Sequence, residues 1–319
     1  MLTSILITFL LTGPVALGSG EVGLPASPLD DVLAPIVEES QLKGASLAVQ
    51  VVNVRTGEEV YGLNADESLV PASVMKVLTA ATALRTLGPA YRFSTLVYTD
   101  GELDNEGVLH GNLYIKGFGD PSFVIERLWK LVFDLHLEGL ERVEGDLIFD
   151  GSFYDDDHLI AGWRKAVDLE NGPSYFAPIG ALSLNFNTTV LLVSPGSEVG
   201  EPAVVRQETP AGIVTIDNGL ETGKTGSRKW IRLDRKANHE GGEVTLTLRG
   251  SIPLDAETSR YRKAVSKPTP HFMSAFEGQL EAQGIKVTGR SREGGVPAGA
   301  EVIAESWSDS LGVLLTTMN

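Results

Sequence analysis

Residues 71–78 read Pro-Ala-Ser-Val-Met-Lys-Val-Leu and open an apolar stretch that continues to Arg85. The apolar spacing predicts a helix over residues 71–85. Residues three apart on a helix share a face, so the amine of Lys76 can reach the hydroxyl of Ser73. Lys76 is the only charged residue of the stretch before Arg85. A single ammonium in such an apolar helix is costly unless it has a partner or a chemical task.

A serine and a lysine in this arrangement point to acyl transfer, in which the hydroxyl attacks a carbonyl while a base removes its proton. A lysine acts as that base only when it is neutral, which burial and nearby positive charge favour. The pattern alone leaves an alternative, with Ser73 as a helix N-cap and Lys76 extending to solvent. A second Ser-x-x-Lys, at residues 40–43, precedes Gly44 at the end of an amphipathic helix, where a solvated lysine is expected.

The composition of the 319-residue chain excludes several classes of function. With 26 basic and 42 acidic side chains, its net charge of −16 argues against nucleic acid as a partner. The absence of cysteine excludes disulfides, thiolate metal sites and a thiol nucleophile. The sequence contains no His-Glu-x-x-His motif, the pattern typical of zinc hydrolases, so we predict neither a metal nor a cofactor. The scattered histidines receive no role: His110, His136, His158, His239 and His271.

The first residues favour export. Residues 5–18 are apolar but interrupted by threonine, glycine and proline, and they are shorter than the roughly 20 residues that span a bilayer. Small residues at Ala16 and Gly18 resemble a signal-peptidase site, so we predict a signal peptide over 1–20, a periplasmic or extracellular location and no stable membrane span. No Lys or Arg precedes Lys43, which leaves a misplaced start codon or a buried helix of a cytosolic protein as alternatives.

The rest of the chain contains two kinds of secondary-structure pattern, one helical and one strand-rich, and we find no internal repeat. Helical periodicity occurs near both ends, and a strand-rich region with one helix lies between residues 95 and 265. The predicted helices cover 29–43, with Gly44 as the stop, 71–85, 123–139 and 269–283. The predicted strands include 45–54, 58–62, 112–116, 143–149, 189–194, 213–216 and 243–249.

Five segments resemble one family, the D-alanyl-D-alanine carboxypeptidase/endopeptidase family of class C penicillin-binding proteins with a large insert. They are PASVMKVLTAATALRTLGPAYRFST (71–95), LHGNLYIKGFGDPSF (109–123), VEGDLIFDGSFYDD (143–156), YFAPIGALSLNFNTTVLLVSPG (175–196) and HFMSAFEGQLEAQGIKVTG (271–289). The resemblance implies an α/β fold, a transpeptidase/β-lactamase-like serine acyltransferase domain interrupted after the nucleophile helix by a strand-rich insert of one or two lobes. The implied divisions are 1–20 (signal peptide), 28–95 (first part of the transpeptidase-like domain), 96–265 (insert) and 266–319 (return to that domain).

The same resemblance implies the activity. Ser73 would be the acylated nucleophile and Lys76 its general base in a serine D,D-carboxypeptidase or endopeptidase. The implied substrate is the D-Ala-D-Ala end, or a D-amino-acid cross-link, of peptidoglycan peptides. β-Lactams would inhibit the enzyme as slow pseudo-substrates of the same serine.

Ser-x-Asn and Lys-Thr-Gly elements accompany the nucleophile in this family. The sequence offers Ser183-Leu184-Asn185 and Lys224-Thr225-Gly226, but we assign neither. The first lies in a stretch that resembles the insert. The second lies among three glycines without a flanking apolar strand, which predicts a turn.

The chain stops at Asn319, before the position at which the resemblance places the second motif. We therefore expect a C-terminally truncated member with an uncovered apolar face on the nucleophile helix and impaired activity. The alternatives are a non-catalytic peptidoglycan-binding envelope protein and, less favoured, another Ser-x-x-Lys hydrolase such as an esterase or a β-lactamase relative.

Two further groups have structural interpretations. Asp150 and residues 155–157 lack the order of a calcium-binding loop and predict a solvated acidic turn. We predict that Trp163 and Tyr175 pack in a hydrophobic core rather than stack on a ligand.

Overall fold

The computed structural model describes residues 5–11, 29–37, 44–160, 173–209 and 211–317. The chain divides into two compact units, residues 1–88 and residues 89–319. Each unit is built around its own sheets.

The first unit is a three-stranded sheet with two helices. Its elements are β1 (Ile5–Leu11), α1 (Asp30–Val37), β2 (Leu47–Asn53), β3 (Glu59–Leu63) and α2 (Met75–Leu87). β2 lies centrally, parallel to β1 and antiparallel to β3.

The β2–β3 hairpin forms where the sequence predicts it. Gly57 has φ +75° and its N–H donates to the Asn53 carbonyl at 2.7 Å, a turn conformation that glycine adopts without steric cost. Residues 5–11 of the predicted signal peptide form β1, and residues 12–20 lie outside the described part of the chain. Export stays a prediction.

The second unit is strand-rich. Its strands are β4 (Ser94–Thr99), β5 (Glu102–Leu103), β6 (Val108–His110), β7 (Leu113–Gly117), β8 (Arg142–Val143), β9 (Leu147–Asp150), β10 (Thr188–Ser194), β11 (Val204–Gln207), β12 (Val214–Gly223), β13 (Trp230–Ala237), β14 (Val244–Pro253), β15 (Ser259–Ala264), β16 (Lys286–Val287), β17 (Ser291–Glu293) and β18 (Glu301–Trp307). Its helices are α3 (Ile125–Leu137), α4 (Pro268–Ala282) and α5 (Leu311–Thr316).

These strands form four sheets. The largest has the order β17-β9-β7-β4-β18, and a four-stranded sheet has the order β16-β8-β6-β5. Two three-stranded sheets follow, β11-β10-β15 and β12-β14-β13. In the largest sheet β7 and β9 are parallel, whereas β4 is antiparallel to both of its neighbours.

The main core joins α3 and α4 to the five-stranded sheet. Leu128, Leu131 and Leu135 recur on one face of α3 and are fully buried, as the helical periodicity requires. On α4, Phe272 packs against Phe123 with ring centroids 5.5 Å apart, and further rings surround it. A second core forms where apolar residues alternate along β10, β12 and β14.

The predicted domain divisions stay predictions, and the two compact units have other bounds. The boundary falls after Gly88 rather than after residue 95. Residues 266–319 belong to the second unit, whereas the sequence predicts their return to the first domain. The reason is that Phe272 and Phe276 of α4 lie in the same core as α3.

Smaller differences concern single residues. Tyr175, predicted as a core anchor, is 73% exposed, and Trp163 lies outside the described residues. β12 extends to Gly223 and β13 begins at Trp230, so strands flank the predicted turn directly. No helix within the described ranges is both long and apolar enough to cross a membrane.

Candidate active site

The chain enters α2 through one strained turn. Ala72–Val74 form a single turn of 3₁₀ helix, closed by a hydrogen bond of 2.9 Å from the Val74 N–H to the Pro71 carbonyl. Ala72 has φ +45°, in the left-handed region that costs a residue with a side chain roughly 1–2 kcal/mol. This strain lies next to Ser73, and strained backbone is concentrated at functional sites.

The two residues predicted from the Ser-x-x-Lys pattern lie together. Lys76 Nζ lies 3.3 Å from Ser73 Oγ and donates to it. Catalysis requires the proton to move along this contact in the other direction, from the hydroxyl to a neutral amine. The structure therefore places the predicted nucleophile, Ser73, close to the predicted base, Lys76.

The surroundings of this pair are open to solvent. Ser73 and Lys76 are both exposed. The apolar residues beside them are exposed as well, with fractions between 40% and 63%: Val74, Met75, Val77 and Leu78, here called the apolar flank of α2. The predicted base needs a dehydrated environment, and the described residues leave Lys76 in water.

The Ser-Leu-Asn segment is bonded within the second unit. Asn185 accepts the Ile125 N–H through Oδ1 at 3.0 Å and donates through Nδ2 to Thr209 Oγ1 at 2.9 Å. Ser183 Oγ donates to the Gly180 carbonyl at 2.8 Å. The bond from the Ile125 N–H holds the loop before β10 against the start of α3, and we assign the segment no catalytic role.

The Lys-Thr-Gly segment lies in the turn between β12 and β13. Gly226 has φ +69°, and its N–H donates to Asp255 Oδ1 at 2.9 Å. Lys224 and Thr225 are exposed. Here too we assign no catalytic role.

Two buried carboxylates have a role that the sequence did not predict. Asp150, predicted as part of a solvated acidic turn, is instead buried, because it pairs with Lys116 on the neighbouring strand. Asp120 and Asp150 are each 1% exposed at the side chain and pair with a cation. Arg127 donates to Asp120 at 2.6 Å, and Lys116 Nζ donates to Asp150 at 2.9 Å. Burial raises the pKa of Asp150, but hydrogen bonds from Ser152, from the Val296 N–H and from Lys116 outweigh it and lower the pKa to about 2.

A repeated tetrapeptide could have indicated these carboxylates. Asp-x-Ser-Phe occurs at residues 120–123 and again at 150–153. In both copies the aspartate Oδ1 accepts the N–H and the hydroxyl of the serine two residues later. The copies follow the parallel neighbours β7 and β9, so they lie at the same edge of the sheet. Their contacts indicate a structural task within this unit.

The histidines differ widely in environment. His271 is fully buried on α4, and neither ring nitrogen has a hydrogen-bond partner among the described residues. Burial lowers its pKa to about 4. His110 lies on the surface between Asp104 and Glu144, and its hydrogen bonds to these carboxylates raise its pKa. Across the described ranges, no group of three or more acidic or histidine side chains is placed to hold a metal ion.

Comparison with known proteins identifies the family. The model of the D-Ala-D-Ala carboxypeptidase 3 (S13) family matches residues 29–319. The chain belongs to this family. It is 35% identical over 303 residues to the D-alanyl-D-alanine carboxypeptidase of Actinomadura sp. (strain R39), covering 92% of this chain and 54% of that protein. It is 22% identical over 277 residues to the D-alanyl-D-alanine carboxypeptidase DacB of Haemophilus influenzae, covering 86% of this chain and 56% of that protein.

Solved structures share the fold. Penicillin-binding protein 4 (dacB) of Haemophilus influenzae matches with a TM-score of 0.67 at 22% identity, over 84% of this chain and 57% of that one. The same protein complexed with a β-lactam matches with a TM-score of 0.60 at 20% identity, over 84% and 55%. The predicted family and fold class, an α/β penicillin-binding-type domain with a strand-rich insert, are confirmed. The chain spans about half the length of the curated relatives it matches.

Proposed function

We propose that this member of the D-Ala-D-Ala carboxypeptidase family carries the nucleophile and the base of a serine D,D-carboxypeptidase or endopeptidase that acts on peptidoglycan peptides. The observation that carries the proposal is the 3.3 Å contact between Lys76 Nζ and Ser73 Oγ at the start of α2. A relative at 35% identity bears the name D-alanyl-D-alanine carboxypeptidase, which supports the substrate class.

In the proposed reaction, Ser73 Oγ attacks the carbonyl carbon of the penultimate D-alanine while neutral Lys76 accepts the hydroxyl proton. The new bond joins Oγ to this carbon, and the bond from the carbon to the nitrogen of the last D-alanine breaks. The proton on Lys76 passes to that nitrogen, so that D-alanine leaves as a free amine. A water molecule then hydrolyses the acyl ester and restores the serine.

β-Lactams fit the same proposal as slow pseudo-substrates. Their strained amide takes the place of the peptide bond, and the ring-opened product stays attached to Ser73. Penicillin-binding protein 4 of Haemophilus influenzae has been solved in complex with a β-lactam, which supports this choice of probe. We also place the protein outside the cytoplasm, because peptidoglycan lies there and residues 1–20 resemble a signal peptide.

The exposure of Lys76 sets a requirement for this reaction. The reaction needs a neutral amine, and exclusion of water favours the neutral form of a lysine, so the acylating state needs water excluded from the amine. The apolar flank of α2 is the surface on which a covering group would lie. The proposal therefore includes a dehydrated Lys76 during acylation.

One observation favours a second candidate, a peptidoglycan-binding envelope protein without turnover. Lys76 and Ser73 are both exposed, outside the dehydrated environment that the proposed base needs. In this case the protein would bind stem peptides and form no acyl ester.

Labelling with a fluorescent penicillin separates the two candidates. Because Lys76 is exposed, we expect only weak labelling, which peptide mass spectrometry should locate on Ser73 and which Ser73→Ala should remove. Ser40→Ala is the matched control, because Ser40 belongs to the other Ser-x-x-Lys tetrapeptide, and this variant should label like the unmodified chain. A stem peptide that binds without any labelling would support the second candidate. Labelling that survives Ser73→Ala would contradict the enzymatic proposal.

A further inference from the structure

A cluster of cations lies at one end of the β12–β14 sheet. Residues 224–229 connect β12 to β13, and together with Trp230, the first residue of β13, they are here called the basic tip; all of them are exposed. They contain Lys224, Arg228 and Lys229, and Arg232 follows closely. Residues 222–233 include no Asp or Glu, although the whole chain has a net charge of −16. The tip is therefore a local exception to the charge of the protein.

The cations at the tip differ in how they are held. Lys229 Nζ donates to Ser259 Oγ and lies 5.9 Å from the ring centre of Tyr261. Arg232 pairs with Asp234 at 2.7 Å. The described ion pairs include neither Lys224 nor Arg228, so these two are the cations available to an external anion.

An aromatic side chain is presented beside these cations. Trp230 is 56% exposed. Its neighbours Ile231 and Leu233 pack against the core between the sheets, so alternation along β13 places Trp230 and Arg232 on the opposite face. Gly250 allows the indole to lie against β14, because a Cβ there would come within 2.8 Å of the ring.

Acidic residues border the tip as well. Glu221 is exposed and lies in register with Ser251, which is the partner of Trp230 on β14. Asp255 accepts the Gly226 N–H at 2.9 Å and so closes the turn from inside. Glu257 is exposed two residues later. Asp234 is bound to Arg232 at 2.7 Å, so Lys224 and Arg228 remain the cations of the tip without a side-chain partner among the described residues.

We propose that the basic tip docks this protein on the surface of an anionic lipid bilayer. Lys224 and Arg228 would contact the phosphate headgroups, and Trp230 would enter the interfacial layer. Tryptophan favours this layer because its ring is apolar and its N–H is polar. Each Lys or Arg near an anionic bilayer surface strengthens binding roughly fivefold, and the tip offers two such cations.

Tryptophan distinguishes a lipid surface from a soluble polyanion. A polyphosphate chain would attract Lys224 and Arg228, but it offers no apolar layer for the indole. An exposed Trp230 beside the cations therefore favours the bilayer. The residues that would contact lipid all belong to the second unit, and none of them is part of the pair formed by Ser73 and Lys76.

Flotation of the full chain with lipid vesicles tests the proposal. We compare vesicles of phosphatidylcholine with vesicles that contain one-third phosphatidylglycerol, at low and at high salt. Binding should require phosphatidylglycerol and weaken with salt. The double variant Lys224→Gln/Arg228→Gln should bind about thirtyfold more weakly, since each cation at an anionic surface strengthens binding roughly fivefold. Trp230→Ala should weaken binding several-fold.

The matched control is Lys286→Gln/Arg290→Gln. It removes the same two residue types at the same spacing from another exposed part of the second unit, and it should bind like the unmodified chain. An equal loss in this control would overturn the proposal, because the effect would then reflect net charge alone. Equal binding to both kinds of vesicle would also overturn it. A third result would overturn it as well. If soluble polyphosphate abolishes vesicle binding and Trp230→Ala leaves this binding unchanged, the tip binds a polyanion instead of a bilayer.

Discussion

Lys76 Nζ lies 3.3 Å from Ser73 Oγ across one turn at the start of α2. Proximity of this kind serves catalysis only if the amine can release and accept a proton. An arginine at position 76 keeps the positive charge but stays protonated in proteins. The two roles of Lys76, as a base and as a charge, can therefore be separated by substitution.

We predict that Lys76→Ala and Lys76→Arg both slow acylation by a penicillin by about 10²–10⁴-fold, the usual contribution of a general base. The measurement is the second-order rate of labelling at Ser73, with circular dichroism as a check on folding. Arg85→Ala, at the other end of α2, is the control and should label normally. A Lys76→Arg variant that labels at the normal rate would show that the charge, and not proton transfer, is what matters.

The backbone of Ala72 leads to a second prediction. Its φ of +45° is unfavourable for alanine and ordinary for glycine. Ala72→Gly should therefore leave the free energy of unfolding unchanged or raise it by up to about 1 kcal/mol, whereas Ala72→Val should lower it by more than about 1 kcal/mol. Urea unfolding of both variants provides the measurement.

A substitution to glycine in the middle of α2 is the control for Ala72→Gly. Ala80→Gly removes an ordinary helical alanine from α2 and should cost about 1 kcal/mol. If Ala72→Gly and Ala80→Gly destabilise the protein equally, the left-handed turn before Ser73 carries no strain.

Local patterns in the sequence predict much of the fold and the contact at α2. Apolar residues at helical spacing predict α3, and Leu128, Leu131 and Leu135 are indeed buried together. The contact between Ser73 and Lys76 follows from helix geometry alone. Both depend on residues close in sequence, where side-chain positions are fixed by the period of the element.

Features that depend on distant residues could not be predicted in this way. Lys116 and Asp150 are direct partners in the register of β7 and β9, and no local pattern specifies that register. The left-handed φ of Ala72 has no signal either, because alanine does not favour it. Phe272 of α4 packs in the same core as α3. The helical periodicity of α4 predicts that one face is buried, but it does not predict which element covers that face.

The buried ion pair of Asp150 supports a third prediction. Asp150→Asn should lower the free energy of unfolding by about 3 kcal/mol, because Lys116 would lose its carboxylate in a largely buried site. Asp156→Asn, an exposed aspartate in the acidic turn, is the control and should change stability by less than about 0.5 kcal/mol. Urea unfolding at neutral pH measures both. Equal effects would contradict the structural task assigned to Asp150.

The buried imidazole of His271 makes the stability of the second unit depend on pH. Its pKa in the folded protein is about 4, below the value of roughly 6.5 for an unfolded histidine. Between these values the unfolded chain takes up a proton that the folded chain does not, so stability falls as the pH drops from about 6.5 to about 4. The loss should approach about 3 kcal/mol, and it should vanish above a pH of about 6.5.

His271→Leu should remove this part of the pH dependence and, at a pH of about 7.5, raise stability by about 1 kcal/mol or more, because two unpaired nitrogens leave the core. The measurement is urea unfolding of the unmodified chain and the variant at pH values of about 7.5 and about 5. The decisive quantity is the difference between the two proteins, since acidic groups titrate in both. His136→Leu makes the same change at an exposed position of α3 and should keep the pH dependence of the unmodified chain. If the unmodified chain and His271→Leu lose the same stability between these pH values, the imidazole is either hydrated or paired in solution, and its burial on α4 does not govern the response to acid.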